Sequence, residues 1–105
     1  MELTQSQTEQ LVARIVAAAH PQRIILFGSA ARGEAGRHSV VDVLVVAPEG
    51  AHRRKTAQAI YRGLLGLGVP VDVVVATPSD LEDYRDSPGL VYRAALREGK
   101  ELCAA

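Results

Sequence analysis

The sequence is poor in cysteine, in net charge and in long apolar runs. Cys103 is its one cysteine, so no internal disulfide can form and the fold must rest on packing, as is usual in a reducing cytoplasm. Lysine plus arginine and aspartate plus glutamate each number 12, so overall charge does not favour nucleic-acid binding. No apolar run approaches the roughly 18 residues of a membrane span, and the polar start MELTQSQTEQ lacks the apolar segment of a secretory signal. We therefore expect a cytoplasmic protein that binds neither membrane nor nucleic acid.

The remaining pattern predicts an α/β (α+β) fold with a small mixed sheet and flanking helices. The 105 residues, 48% of them hydrophobic, suit one domain, which we expect to span residues 1–105. Helical spacing covers SQTEQLVARIVAAAH, 52–67 and GLVYRAALREG, with a short helix from Ser79 or Asp80. Strand patterns cover RIILFGS, SVVDVLVVA and GVPVDVVVATP, and KELCAA forms an extended tail. Because the 28–37 connection is too short for a parallel crossover helix, at least one strand pair should be antiparallel.

The predicted helix at 52–67 has one apolar face and a basic start. Its first residues read HRRK, where positive charge opposes the helix dipole. This run fits a solvated surface better than a contact with triphosphate or with an acidic partner. The apolar face consists of Ala57, Ile60, Tyr61, Leu64 and Leu65.

A glycine turn follows the first predicted strand and is the first candidate site. Gly28 and Ser29 end the strand, and Arg32 lies in the ARG that follows. Backbone N–H groups in such a turn can face a phosphate, and Ser29 and Arg32 can add a hydroxyl and a charge-assisted contact. The turn is not a P-loop, because the glycine spacing differs and no Lys-Ser/Thr follows. Taken alone, it fits a tight turn with a surface arginine at least as well.

Two aspartates in valine-rich strands form the second candidate site. Asp42 lies within SVVDVLVVA and Asp72 within GVPVDVVVATP. A carboxylate in such a strand is unfavourable unless it is solvated, paired or bound to a metal. If the two strands are neighbours, both acids can point to one face and meet at a cation, and magnesium prefers such a pair together with water and phosphate oxygens. The alternative is that each acid pairs with an arginine or lies at a wet strand end.

The glycine turn, SVVDVLV and the distal VDVVV together resemble the minimal nucleotidyltransferases of the DNA polymerase beta superfamily. The resemblance covers nearly the whole chain, including YRAALREGKEL. It implies a nucleotidyltransferase-like fold that transfers a nucleoside monophosphate from a nucleotide triphosphate such as ATP to a hydroxyl, using two Mg²⁺ ions. Small members of this family resemble antitoxins paired with helical HEPN ribonuclease toxins, some of which they modify with AMP. A HEPN-type partner is thus implied here, and a second copy of the chain is the other partner to consider.

The resemblance also assigns roles to individual residues. Gly28 and Ser29, with Arg32 beside them, would hold the triphosphate. Asp42 would bridge both metal ions, and Asp72 would act as general base or as ligand of the ion that activates the hydroxyl. The family's first aspartate falls on Val40, which has no ligand atom. The resemblance therefore implies a catalytic site in which Val40 marks a missing carboxylate and metal binding and activity are weakened.

Three hypotheses follow from these observations. The first is a nucleotidyltransferase impaired at Val40 that acts as an antitoxin. The second is an antitoxin that neutralises its partner by binding alone, without chemistry. The third is an α/β domain in which Asp42 and Asp72 are structural.

Overall fold

The computed structural model describes residues 3–28, 40–84 and 91–104. Within these ranges the helices are α1 (Gln5–Ala19), α2 (Arg53–Gly63), α3 (Pro78–Tyr84) and α4 (Val91–Glu98). The strands are β1 (Arg23–Phe27), β2 (Val41–Val46), β3 (Val71–Ala76) and β4 (Lys100–Ala104). The predicted extended tail is thus the fourth strand. None of the described helices has the length and hydropathy to cross a membrane.

The four strands form a mixed sheet in the order β3-β2-β1-β4. β1 pairs antiparallel with both β2 and β4, and β2 pairs parallel with β3. The antiparallel pair expected from the short 28–37 connection is therefore β1–β2. The parallel pair β2–β3 is joined by α2, as a crossover between parallel strands requires. The predicted mixed α/β architecture is confirmed.

Helices cover both faces of the sheet. Alternate side chains of β1 and β2 point to opposite faces, because side chains repeat every two residues along a strand. One face packs against Leu11 and Ile15 of α1 and Ile60 of α2. The other face, which we call the acid face because Asp42 and Asp72 point to it, packs against Leu81 of α3 and Ala95 of α4.

α1 shows how local sequence sets an element's ends. Thr4 caps its start: the Gln7 backbone N–H donates to Thr4 Oγ1 at 3.0 Å, and the Thr4 N–H donates to Gln7 Oε1 at 2.9 Å. This reciprocal pair is a capping box. At the other end His20 adopts a left-handed conformation (φ 46°) directly before Pro21. The helix therefore ends where the proline was expected to stop it.

The predicted apolar face of α2 is wrong at two residues. Leu65 is 76% exposed and Tyr61 is 41% exposed, whereas Ile60 and Leu64 are buried. Leu65 lies beyond the end of the helix at Gly63, so helical spacing no longer directs its side chain toward the sheet. Tyr61 lies within the helix, and its ring extends past the packed face toward the edge of β3, where its hydroxyl finds polar partners.

Candidate active site

The parallel pairing of β2 and β3 brings Asp42 and Asp72 together. The two aspartates are register partners, each the second residue of its strand. Neighbouring strands lie about 4.8 Å apart, so two carboxylates on one face at one register position are within reach of a single cation. Leu44 and Val46 follow Asp42 at two-residue steps, and both pack into the cluster on the acid face. The two acids thus share the acid face at its open end, as the sequence predicted for neighbouring strands.

Gly28 lies against the Asp42 carboxylate. It follows β1, whose last residue, Phe27, is the register partner of Asp42. Gly28 has a φ of +75°, and a Cβ atom built on it would lie 2.5 Å from Asp42 Oδ2. Glycine is therefore required here for two independent reasons, a left-handed backbone and a close approach. The first residue of the predicted glycine turn therefore lies in direct contact with the predicted acid.

Of the predicted site residues, Ser29 and Arg32 lie outside the described residues. Val40 is described and immediately precedes β2, with 43% of its surface exposed. The Val41 N–H donates to the carbonyl of Pro70 at 3.0 Å, so the pairing of the two segments continues up to this point. Positions 40 and 42 are two residues apart, so on strand geometry an acid at 40 would face the same side as Asp42.

The pKa of the Asp42 carboxyl is raised above its ordinary value. Partial burial is the larger cause, and the negative charge of Asp72 is the second. Both effects disfavour ionised Asp42, and a bound cation would offset both. A bound cation would therefore stabilise the ionised form of the pair.

Among the described residues, the oxygen donors of the acid pair fit one magnesium ion. Magnesium is commonly held by one or two carboxylates, with water and phosphate oxygens completing the octahedron. Asp42 and Asp72 supply those carboxylates. Within residues 3–28, 40–84 and 91–104, no three histidine, cysteine, aspartate or glutamate side chains cluster in a way that would hold a metal ion. A third carboxylate is what an aspartate at position 40 would provide.

Comparison with known proteins identifies the family. The profile of the nucleotidyltransferase domain matches residues 9–100. The chain belongs to the nucleotidyltransferase domain family. The match extends from α1 to the start of β4, so it includes every strand that contributes to the acid pair and the glycine turn.

Solved structures share the fold of this nucleotidyltransferase domain. A provisionally assigned nucleotidyltransferase from Sulfolobus solfataricus is 18% identical, with a TM-score of 0.61 over 91% of this chain and 76% of that one. A toxin–antitoxin complex with AMP-PNP is 22% identical, with a TM-score of 0.66 over 93% of this chain and 73% of that one. A mutant of the toxin–antitoxin pair MntA–HpeT is 20% identical, with a TM-score of 0.65 over 98% of this chain and 75% of that one. A search of curated proteins finds no match.

Sequence reasoning missed one residue that contacts the acid pair. The Tyr61 hydroxyl donates to Asp72 Oδ1 at 3.1 Å and accepts a hydrogen bond from the Val73 N–H at 2.8 Å. A tyrosine at helical spacing among alanine, isoleucine and leucine predicts an apolar face. The tyrosine hydroxyl was the available clue, because the hydroxyl of a partly buried tyrosine usually finds a hydrogen-bond partner.

The basic run at 52–55 lies away from the acid pair. It follows the end of β2, whereas Asp42 lies near the start of that strand. Arg53 Nη1 contacts Asp80 Oδ2 at 2.9 Å, and His52 Nδ1 accepts a hydrogen bond from the Lys55 N–H at 3.2 Å. Asp80 in turn accepts a hydrogen bond from the Thr77 N–H at 3.0 Å. These contacts link the start of α2 to the start of α3. All four residues of the run are exposed, as expected of a solvated surface.

Proposed function

We propose that this nucleotidyltransferase domain binds a nucleoside triphosphate, ATP, together with Mg²⁺, and serves as the antitoxin of a helical HEPN-type toxin. Its reaction would be transfer of AMP to a hydroxyl of that partner. The observation that carries the proposal is the register pairing of Asp42 with Asp72 beside Gly28. Two carboxylates next to a glycine turn are the groups that a metal-bound triphosphate requires.

The roles proposed for the residues follow from their positions. Asp42 and Asp72 would hold the cation, which supplies charge stabilisation to the triphosphate when bound. Gly28 leaves room for phosphate oxygens beside Asp42, with Ser29 and Arg32 as further phosphate contacts. Asp72 would accept the proton of the acceptor hydroxyl as its oxygen attacks the α-phosphorus. The bond from the α-phosphorus to the bridging oxygen then breaks, and pyrophosphate leaves.

Val40 leads us to propose that catalysis is impaired while nucleotide binding is retained. One ion on Asp42 and Asp72 is enough to anchor a triphosphate, but a matched pair of ions would need the carboxylate missing at position 40. In the MntA–HpeT mutant, two aspartates two residues apart are replaced by glutamate. That spacing equals the spacing of Val40 and Asp42, which supports treating position 40 as part of the site.

Structural neighbours from toxin–antitoxin complexes support a toxin partner, and one of them was solved with AMP-PNP. A domain of this size has little surface with which to enclose a nucleotide, so a helical partner, or a second copy of the chain, would complete the wall of the site. We place this pairing in the cytoplasm, where ATP and magnesium are available.

Light scattering on the chain alone and with the product of the neighbouring gene tests whether such a complex forms. We expect a stable complex. A chain that stays monomeric in the presence of this product would contradict the proposed partner.

The second candidate is an antitoxin that acts by binding alone. Val40 favours it, because a site without its first carboxylate can still present a surface to a toxin. Toxin neutralisation by the double variant Asp42→Asn with Asp72→Asn discriminates the two. Retained neutralisation supports the binding-only antitoxin, and lost neutralisation in a folded variant supports a role for the site.

Calorimetric titration with Mg-ATP tests the nucleotide site itself. The original chain should bind, and the variant Asp42→Asn with Asp72→Asn, which keeps the size of both side chains, should not. A flat titration of the correctly folded original chain would contradict the proposal. It would instead favour a structural role for the two acids.

A further inference from the structure

The hydroxyl of Tyr61 connects the edge of the sheet to the acid pair. β3 is an outer strand of the described sheet, paired on one side with β2. The Val73 N–H points to the open side, where it donates to the Tyr61 hydroxyl at 2.8 Å. The hydroxyl thus takes the place of a carbonyl from a further strand. This contact fixes the hydroxyl relative to the β3 backbone.

The same hydroxyl donates to the Asp72 carboxylate. Its distance to Asp72 Oδ1 is 3.1 Å, and Asp72 is exposed. An exposed aspartate otherwise moves freely among its rotamers. The hydrogen bond occupies one site on Oδ1 and leaves Oδ2, along with the remaining capacity of Oδ1, available to a cation. Tyr61 therefore restrains Asp72 without using up its capacity to bind metal.

The position of Tyr61 is itself held by packing. The preceding residue, Ile60, is fully buried against the opposite face of the sheet. α2 thus lies on one face, and the Tyr61 side chain passes around the edge of β3 to reach a carboxylate that points to the acid face. Tyr61 and Asp72 are 11 positions apart in the chain, so the contact depends on the docking of α2.

We propose that Tyr61 is a positioning residue, which holds the Asp72 carboxylate in one orientation toward Asp42 and so sets the affinity of the pair for a divalent cation. The inference rests on the proposed function, because it deepens the account of the same site. Partners that orient a metal-binding carboxylate typically change metal affinity by about 10–100-fold when removed. Since Asp72 is exposed, we expect the lower end of that range.

The test uses Tyr61→Phe, which removes the hydroxyl and keeps the ring. Three-bond NMR couplings from the Asp72 Cγ to its backbone nitrogen and carbonyl carbon report the side-chain rotamer without any metal. They should show one rotamer in the original chain and averaging in Tyr61→Phe. Mn²⁺ affinity, measured by electron paramagnetic resonance, should fall by about tenfold. Tyr84→Phe is the matched control, because Tyr84 is 47% exposed against 41% for Tyr61 and lies in α3; it should change neither quantity.

A double-variant comparison separates positioning from simple stabilisation of the edge. In an Asp72→Asn background, Tyr61→Phe should weaken Mn²⁺ binding no further, because the group that Tyr61 positions is already gone. Equal couplings in the original chain and in Tyr61→Phe would overturn the inference. So would measurable Mn²⁺ binding by the original chain that Tyr61→Phe leaves unchanged. If the original chain binds no Mn²⁺ but the couplings change as expected, the positioning stands and the proposed cation site fails.

Discussion

Asp42 and Asp72 lie side by side at one register position of the parallel β2–β3 pair, and the Asp42 carboxylate also lies against Gly28. Like charges in this position destabilise the folded protein unless a cation lies between them. Ligand binding explains the presence of these two acids better than a contribution to the stability of the fold does, since two valines would suit these strands better.

The raised pKa of Asp42 predicts a pH-dependent instability. Burial, and after it the negative charge of Asp72, raises the pKa of Asp42 in the folded protein above its ordinary value of 3.8. The folded protein therefore binds more protons than the unfolded chain between the two pKa values, and stability falls as pH rises through that window. Asp42→Asn should be more stable than the original chain above the window, and this advantage should vanish below pH 3.8. Urea unfolding across pH 3–8 measures the difference.

The exposed Asp83 supplies the control for this series. Asp83→Asn removes one negative charge and leaves the acid pair intact, so it should not reproduce the gain. Magnesium should raise the stability of the original chain at neutral pH and should have a smaller effect on Asp42→Asn. An Asp42→Asn variant that is less stable than the original chain at neutral pH would contradict the electrostatic account.

Gly28→Ala should destabilise the protein through Asp42. An alanine with a left-handed backbone costs about 1–2 kcal/mol, and the added Cβ would also meet Asp42 Oδ2 at 2.5 Å. Gly66→Ala is the matched control, because Gly66 has a φ of +84° and nothing within 4 Å of its added Cβ. Gly28→Ala should therefore lower the free energy of unfolding more than Gly66→Ala does. Adding Asp42→Ala should remove this excess, and an excess that persists would show that the contact with Asp42 is not its cause.

Ser29→Ala and Arg32→Ala test the phosphate role of the glycine turn. Both residues lie outside the described structure, so this prediction rests on the sequence and on the position of Gly28 beside Asp42. Each charge-assisted hydrogen bond that is lost should weaken nucleotide binding by about 1.5–3 kcal/mol without changing the fold. Calorimetric titration with Mg-ATP measures the loss. Unchanged affinity in both variants would reject a phosphate role for the turn.

Much of this site could be predicted because acids in valine-rich strands are conspicuous. Asp42 and Asp72 were identified from their apolar surroundings, and the short 28–37 connection predicted the antiparallel pair beside them. The register of β2 against β3 could not be predicted, because valines on both strands fit several registers equally well. Tyr61 was missed for a related reason. Helical spacing predicts which side chains share one face of a helix, but it does not predict how that helix docks, and only the docked α2 brings the Tyr61 ring around the edge of the sheet. The predicted apolar face wrongly included Leu65 because the helix ends at Gly63, before that residue.

Restoring the missing carboxylate tests the central claim most directly. Val40→Asp would place a third acid beside Asp42 and Asp72, and the variant should be less stable without metal and regain stability with magnesium. The measurement is transfer of label from radioactive ATP to the partner protein by the original chain, by Val40→Asp, and by Val40→Asp combined with Asp42→Ala. If position 40 belongs to the metal site, Val40→Asp should transfer label strongly, the original chain much more slowly or not at all, and the double variant not at all. A Val40→Asp variant that gains neither metal binding nor transfer, or a gained activity that survives Asp42→Ala, would contradict it.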